Sequence, residues 1–303
     1  MKATDWKLGV SSASWVEPKA DELMGREMFE AYKEGGIDCI EISPDPYKYN
    51  FIDFNKTYKL AKEYGIELWS FHLTYTPYIQ NDPSGLTKEI RDNTVAMQSE
   101  YIKKAMDIGI KNFVIHPSSE PNKDEDRDIR IEYAKESLSR LADVAEKCGG
   151  GVIAVENVPR TCLGNCSNEI LRLLADDNRL RACFDTNHLL IEDNVEFIKK
   201  VGEKIITLHV SDYDFLNEQH WLPYEGENDW VAIVSALEEV GYKGPFMYEV
   251  GLKPRDTIIR RDLTYADFRN NYLALVNKVK PEVFGEKIKE KVDARAYFKT
   301  KQF

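Results

Sequence analysis

The sequence has no long apolar run. Nowhere does it approach the ~18 consecutive apolar residues that a membrane-spanning helix requires. Its opening residues, MKATDWKLGVSSASW, carry no apolar block of the secretory-signal type. Both absences set the expectation of a cytoplasmic protein without a membrane partner. Cysteine is scarce: there are five, Cys39, Cys148, Cys162, Cys166 and Cys183. Only Cys162 and Cys166 are neighbours, in a C-x-x-x-C spacing that matches neither a zinc nor a redox motif, so all five read as reduced thiols. Basic charge is also in deficit, with 41 Lys and Arg against 52 Asp and Glu and a formal net charge of −11. Nonspecific nucleic-acid affinity comes from Lys and Arg displacing counterions, so this balance argues against a nucleic-acid partner. No Pro/Gly/Ser linker divides the chain, and no Gly-rich phosphate loop stands out.

What is present is an alternation. Hydrophobic residues make up 43% of the chain and charged residues 31%, an ordinary globular composition. Eight short apolar runs recur: KLGVS (7–11), CIEIS (39–43), IELWSF (66–71), NFVIH (112–116), VIAVEN (152–157), RACFD (181–185), IITLHV (205–210) and FMYEV (246–250). Their length and their β-branched, aromatic and aliphatic content suit parallel strands buried on both faces. Helical patterns lie between them. DELMGREMFEAYKEGG ends in glycines suited to a helix C-terminus, TKEIRDNTVAMQSEYIKKAMDIG has apolar spacing with Lys103 and Lys104 near its end, and SNEILRLLAD offers Ser167 as an N-cap. GENDWVAIVSALEEVGY and TYADFRNNYLALVNKVK supply later helices. Several strands follow a glycine and one or two polar residues, as in GGIDCIEI, YGIELWSF and IGIKNFVIH. Eight such units predict an α/β chain folded as a (β/α)8 TIM barrel, a single domain over 1–303, with 281–303 as a helical C-terminal extension.

In such a barrel, chemistry sits at the C-terminal ends of the strands. His72, His116, His188 and His209 fall at or just beyond strand ends, and His220 lies in the loop NEQHWLPYEGENDW after the seventh strand. Glu156, Asp185 and Glu249 end strands five, six and eight after apolar residues. A carboxylate at such depth is costly unless paired or bound to metal, and Arg160 in ENVPR is the one cation near these runs. Three carboxylates and a histidine without cationic partners point to a divalent ion. Each residue alone has an ordinary alternative: a buried histidine can be a hydrogen-bonded core residue, and a strand-end Glu can cap the next helix. Arg160 reads equally as a contact for an anionic group or as a surface salt bridge. Trp15, Trp69 and Trp221 read as walls for a ring or as packing.

VIAVENVPR, CFDTNH, LHVSD, EQHWLPYEGENDW and MYEVG fall in this order on strands five to eight. Together they resemble the xylose-isomerase-like barrel superfamily of sugar isomerases and epimerases, which shares its fold with the type IV apurinic endonucleases. The resemblance spans nearly the whole chain. It implies one Mn, Mg, Co or Zn ion held by Glu156, Asp185, His209 and Glu249, with His188 contacting substrate. Tyr224 stands where the family's H-x-x-P-G-x-G segment has its first glycine. The endonucleases' wider shell also has counterparts here, in His72, His116, His188 and His220, with Glu218 replacing the Asp of a D-x-H pair. Ligand count is thus compatible with a three-metal site.

The expected activity is a metal-dependent sugar or polyol isomerase or epimerase acting on a ketose or inosose through a metal-stabilised cis-enediolate. Glu156 and Glu249 would take and return the proton. His188, His72, His116, His220, Arg160 and Trp15 are the candidate substrate contacts. No strand-five lysine matches the K-x-E-P element of xylose isomerase, so a hydride shift is not expected. Three alternatives stand beside it: an inosose dehydratase-like lyase with the same ligands, a phosphodiesterase acting on abasic DNA through multiple zinc ions, and a ligand-binding barrel without catalysis. The expected partner is a small sugar or polyol, and a homo-oligomer is compatible.

Overall fold

Each of the eight apolar runs forms a strand within a residue or two of its sequence limits: β1 (Leu8–Ser11), β2 (Cys39–Ile42), β3 (Glu67–His72), β4 (Asn112–Ile115), β5 (Val152–Glu156), β6 (Arg181–Asp185), β7 (Ile205–His209) and β8 (Phe246–Tyr248). The computed structural model describes residues 1–15, 23–77 and 80–288. The strands pair in parallel in the order β7-β6-β5-β4-β3-β2-β1-β8. The ring closes between the two edges, where the Val210 N–H donates to Met247 at 2.8 Å and the Glu249 N–H donates to Val210 at 3.0 Å. Helices α1 (Arg26–Gly35), α2 (Phe54–Tyr64), α3 (Lys88–Asp107), α4 (Arg127–Lys147), α5 (Ser167–Leu173), α6 (Asn194–Val201), α7 (Trp230–Glu239) and α8 (Tyr265–Val276) alternate with them. The architecture is a (β/α)8 barrel.

Two-residue periodicity decides which side chains enter the barrel. Ile40, Phe71, Val155, Phe184 and Leu208 belong to the apolar core between strands and helices. The residue following each is Glu41, His72, Glu156, Asp185 or His209, and all five are buried on the opposite face. A lower layer of Val114, Ala154 and Cys183, packed with Ile206, fills the interior beneath them. Outside, fully buried Phe29, Phe113, Phe197, Phe246 and Phe268 anchor the helices. Each such burial contributes about 1.5–3 kcal/mol. The glycine device works at the helix ends: Gly36 (φ 71°) and Gly65 (φ 69°) terminate α1 and α2 in the left-handed conformation that glycine adopts without strain.

One sequence expectation is corrected. Ser167 is the first residue of α5 rather than its cap; its hydroxyl and N–H both go to Glu192 at 2.6 Å, which leaves Cys166 in the cap position. Of the C-terminal extension, residues 281–288 carry the short strand β10 (Glu286–Lys287), which pairs antiparallel with β9 (Ile258–Ile259). Residues 289–303 of that extension lie outside the described residues. The cysteines are free thiols. No helix among the described residues is long and apolar enough to cross a membrane.

The loop between β7 and α7 is organised by one buried carboxylate. Asp212 accepts the N–H groups of Tyr213 (2.9 Å), Tyr224 (2.8 Å) and Asn228 (3.1 Å) and the indole N–H of Trp230 (2.8 Å). Tyr224 takes the left-handed conformation (φ 75°) that glycine would adopt more cheaply, and its N–H bond to Asp212 holds it there. Asp212→Ala leaves these buried donors without an acceptor, each costing about 1–3 kcal/mol. The expected outcome is a loss of about 3 kcal/mol or more, measured by urea denaturation, with Asp212→Asn losing less.

Candidate metal centre and active site

Glu156, at the tip of β5, is the hub. Its Oε1 lies 3.1 Å from His209 Nδ1 and 3.4 Å from His188 Nδ1. Its Oε2 lies 3.2 Å from His72 Nε2 and 3.3 Å from His116 Nε2. His209 Nδ1 is also 3.6 Å from Glu249 Oε2 and 3.9 Å from Asp185 Oδ2. The four side chains nominated from strands five to eight therefore meet, with ligating atoms of Glu156, Asp185, His209 and Glu249 all within 4.8 Å of one another.

Hydrogen-bond bookkeeping shows what this meeting requires. His209 Nε2 faces Glu41 Oε1 at 2.9 Å, and Glu41 is itself held by the Ser70 hydroxyl at 2.8 Å. A carboxylate accepts, so Nε2 donates to Glu41, and Nδ1 is left facing Glu156 at 3.1 Å with Glu249 and Asp185 beyond. Asp185 takes the Asn187 N–H on Oδ1 at 2.6 Å, but its Oδ2 and Glu249 Oε2 are buried without a hydrogen-bond donor. Three converging carboxylates, two of them with a buried oxygen that meets no donor, and an imidazole nitrogen suit a divalent cation, and O and N ligands of this kind fit Mn, Mg, Co or Zn. The electrostatics agree. Burial pushes the Asp185 carboxyl well above its ordinary range. Burial also opposes charge on Glu156, but His209, His116 and His188 outweigh it and hold that carboxyl well below its usual range. Burial disfavours charge on the His209 ring too, and Cys183 with Glu41, Glu249 and Glu156 outweighs it and raises its pKa. A field that draws protons onto buried imidazoles is one that a metal ion would meet as attraction.

Two further groups adjoin the first. His72, Glu156 and His209 bring ligating atoms within 4.8 Å of one another, as do His188, Glu218 and His220. His188 Nδ1 donates to the Asn157 carbonyl at 2.9 Å, and its Nε2 faces Glu218 Oε2 at 3.4 Å. His220 Nδ1 donates to the Glu249 carbonyl at 3.2 Å, and burial lowers its pKa to about 4, leaving a neutral ring. His72 donates through Nδ1 to Leu73 at 2.9 Å. Tyr75 stacks on His116 with centroids 4.9 Å apart and planes 10° from parallel.

Above this cluster opens a cavity of about 540 Å³ bordered by Glu156, Glu249, His72, His116, His188 and His220. Asp185 and His209 lie beneath its floor, with no exposed surface. Trp15 and Arg160 line its wall; Trp15 stacks on Tyr265 at 6.4 Å. Trp69 and Trp221 do not border it. Trp69 donates to Thr207 at 3.2 Å and Trp221 is buried, donating to Thr257 at 3.0 Å, so both serve packing. Sequence reading passed over Glu41, although an acid inside CIEIS is the same signal as the acid in VIAVEN. It also named one cation where three line the cavity, Lys48 and Arg255 besides Arg160.

Residues 29–267 match the model of the xylose isomerase-like TIM barrel family. An uncharacterized protein of Methanocaldococcus jannaschii is 25% identical over 304 aligned residues, covering 94% of this chain and 95% of its own. Fructoselysine 3-epimerase of Escherichia coli O157:H7 is 28% identical over 114 residues, 36% of this chain and 42% of that enzyme. The crystal structure of D-psicose 3-epimerase with D-tagatose, from Clostridium cellulolyticum H10, shares the fold with a TM-score of 0.66. It is 24% identical and covers 82% of this chain and 86% of that one. With most of its length matched and the strand-end cluster assembled, the chain belongs to the xylose isomerase-like TIM barrel family.

Proposed function

We propose that the protein is a divalent-metal-dependent isomerase or epimerase of a small sugar or polyol, and that it works by moving a proton on and off a carbon next to a carbonyl. The observation that carries this reading is the pair Glu156 and Glu249. Both carboxylates border one cavity, come from strands separated by β6 and β7, and aim an oxygen at the same histidine nitrogen. Bound among Glu156, Asp185, His209 and Glu249, a divalent cation would supply Lewis-acid polarisation of a substrate carbonyl and hydroxyl. Glu249 Oε2 accepts no hydrogen bond from the protein, and Glu156 and Glu249 take and return the proton from opposite sides of the substrate. His188, with Nδ1 anchored on Asn157, orients a hydroxyl through its ring. A cavity near 540 Å³ suits a single small molecule. The sugar epimerases among the relatives support the same substrate class.

The test is a screen of ketoses, inososes and 3-keto sugars for solvent deuterium incorporation with added Mn²⁺. Exchange at one carbon-bound position of at least one compound is expected; a folded, metal-loaded protein that exchanges none of them would contradict the proposal. Product analysis then separates isomerisation from loss of water, since a lyase would use the same groups. The His188, Glu218 and His220 group favours a second reading, a multi-zinc phosphodiesterase. The net charge of −11 opposes a DNA substrate, and three tightly bound zinc ions per chain would favour that reading over ours.

Glu41 provides a separate check on the centre, because it fixes which nitrogen His209 presents. Outer carboxylates of this kind govern metal affinity by about 10–100-fold. Glu41→Ala is therefore expected to weaken Mn²⁺ binding by about that factor in calorimetric titration, and Glu41→Gln, which keeps an acceptor for the ring N–H, by less.

A further inference from the structure

We infer that Arg160 is a built-in cation that occupies the electrostatic place of a second metal ion at His188, Glu218 and His220, and so keeps the site mononuclear. By side-chain type these three could hold an ion, since their ligating atoms lie within 4.8 Å of one another. Glu218, however, is already shared. Its Oε2 faces His188 Nε2 at 3.4 Å, while its Oε1 lies 3.2 Å from Arg160 Nη1. Arg160 is locked in that position. Its Nε lies 3.1 Å from both oxygens of Glu120, its Nη2 adds a 2.5 Å bond to Glu120 Oε1, and its Nη1 also reaches Asn217 at 3.2 Å. The backbone at Arg160 takes the left-handed conformation, φ 55°, which a non-glycine residue adopts only where its surroundings hold it.

Charge decides the outcome. The group at His188, Glu218 and His220 offers one carboxylate and two imidazoles, whereas the centre around His209 offers three carboxylates. Glu218 shares one guanidinium with Glu120, and a guanidinium cannot deprotonate to make way for a metal. A divalent ion here would have to share its one carboxylate with a guanidinium 3.2 Å away, whereas the deeper centre offers three carboxylates. With a second ion excluded, His188 and His220 remain free to hydrogen-bond substrate hydroxyls instead of ligating. The inference deepens the isomerase reading, but it can be tested without turnover.

Metal-stripped wild type, Arg160→Ala, Arg160→Lys and the double variant Arg160→Ala/Glu218→Gln would be reloaded with Zn²⁺. Equivalents would be counted by elemental analysis and located by anomalous scattering. Arg160→Ala is expected to bind one equivalent more than wild type, with the new ion between His188, Glu218 and His220. Arg160→Lys, which keeps the charge, and the double variant should both return to the wild-type count. Wild type already carrying an ion at this group would overturn the inference, as would an Arg160→Ala protein with native circular dichroism that gains none. Should Arg160→Ala fail to fold, Arg160→Gln, which keeps most of the side chain and loses only the charge, must show the same gain, and no gain there is equally fatal. Because metal counts need no substrate, a wild type that fails to exchange protons would sink the isomerase proposal and leave this one standing.

Discussion

Glu249→Gln is expected to lower substrate proton exchange by about 10²–10⁴-fold, the range a positioned general acid or base contributes, in a protein that remains folded. The size of the effect follows from the geometry. Glu249 borders the cavity, and its buried Oε2 accepts no hydrogen bond from the protein, which leaves it open to the substrate and the cation. Gln preserves the shape but can neither take a proton nor carry the charge. Glu156→Gln should be at least as damaging, because that carboxylate is also the hub contacted by His72, His116, His188 and His209. Deuterium incorporation followed by NMR measures both. A double Glu156→Gln/Glu249→Gln variant that still exchanges at the wild-type rate would end the acid–base assignment.

The second large effect is expected on metal removal. Chelation should bring activity to background, and Mn²⁺ or Co²⁺ should restore it. Stability should respond in the same direction. Buried oxygens of Asp185 and Glu249 without donors are a cost to the fold that a bound cation offsets. Binding only to the folded state adds about 2.7 kcal/mol at a hundredfold excess over Kd, so the thermal midpoint should rise measurably on reloading. Full activity in a sample shown by elemental analysis to be metal-free would contradict the Lewis-acid role.

The barrel was legible because strands buried on both faces leave nearly continuous apolar runs, and eight such runs set the topology almost unaided. The site acids were legible for a related reason. Glu156, Asp185 and Glu249 each follow apolar residues at a strand's C-terminal end, where a charge needs a partner. Glu41 carries that signal within CIEIS but has apolar residues on both sides, so only the bond to His209 reveals its purpose. The Arg160 bridge joins residues 40 positions apart on two loops, a contact set by loop conformation rather than by any periodic pattern. Trp15, Trp69 and Trp221 look alike in sequence, yet only Trp15 borders the cavity, because strand and loop registers decide which way a ring points. Ser167 missed its cap role by a single residue, within the ordinary uncertainty of helix ends.

The most direct measurement is anomalous scattering from a crystal soaked in Mn²⁺. The account requires a peak about 2.0–2.6 Å from a carboxylate oxygen of Glu156, Asp185 and Glu249 and from Nδ1 of His209. A saturated crystal with no peak at that point, or with manganese bound elsewhere in the chain, would contradict it.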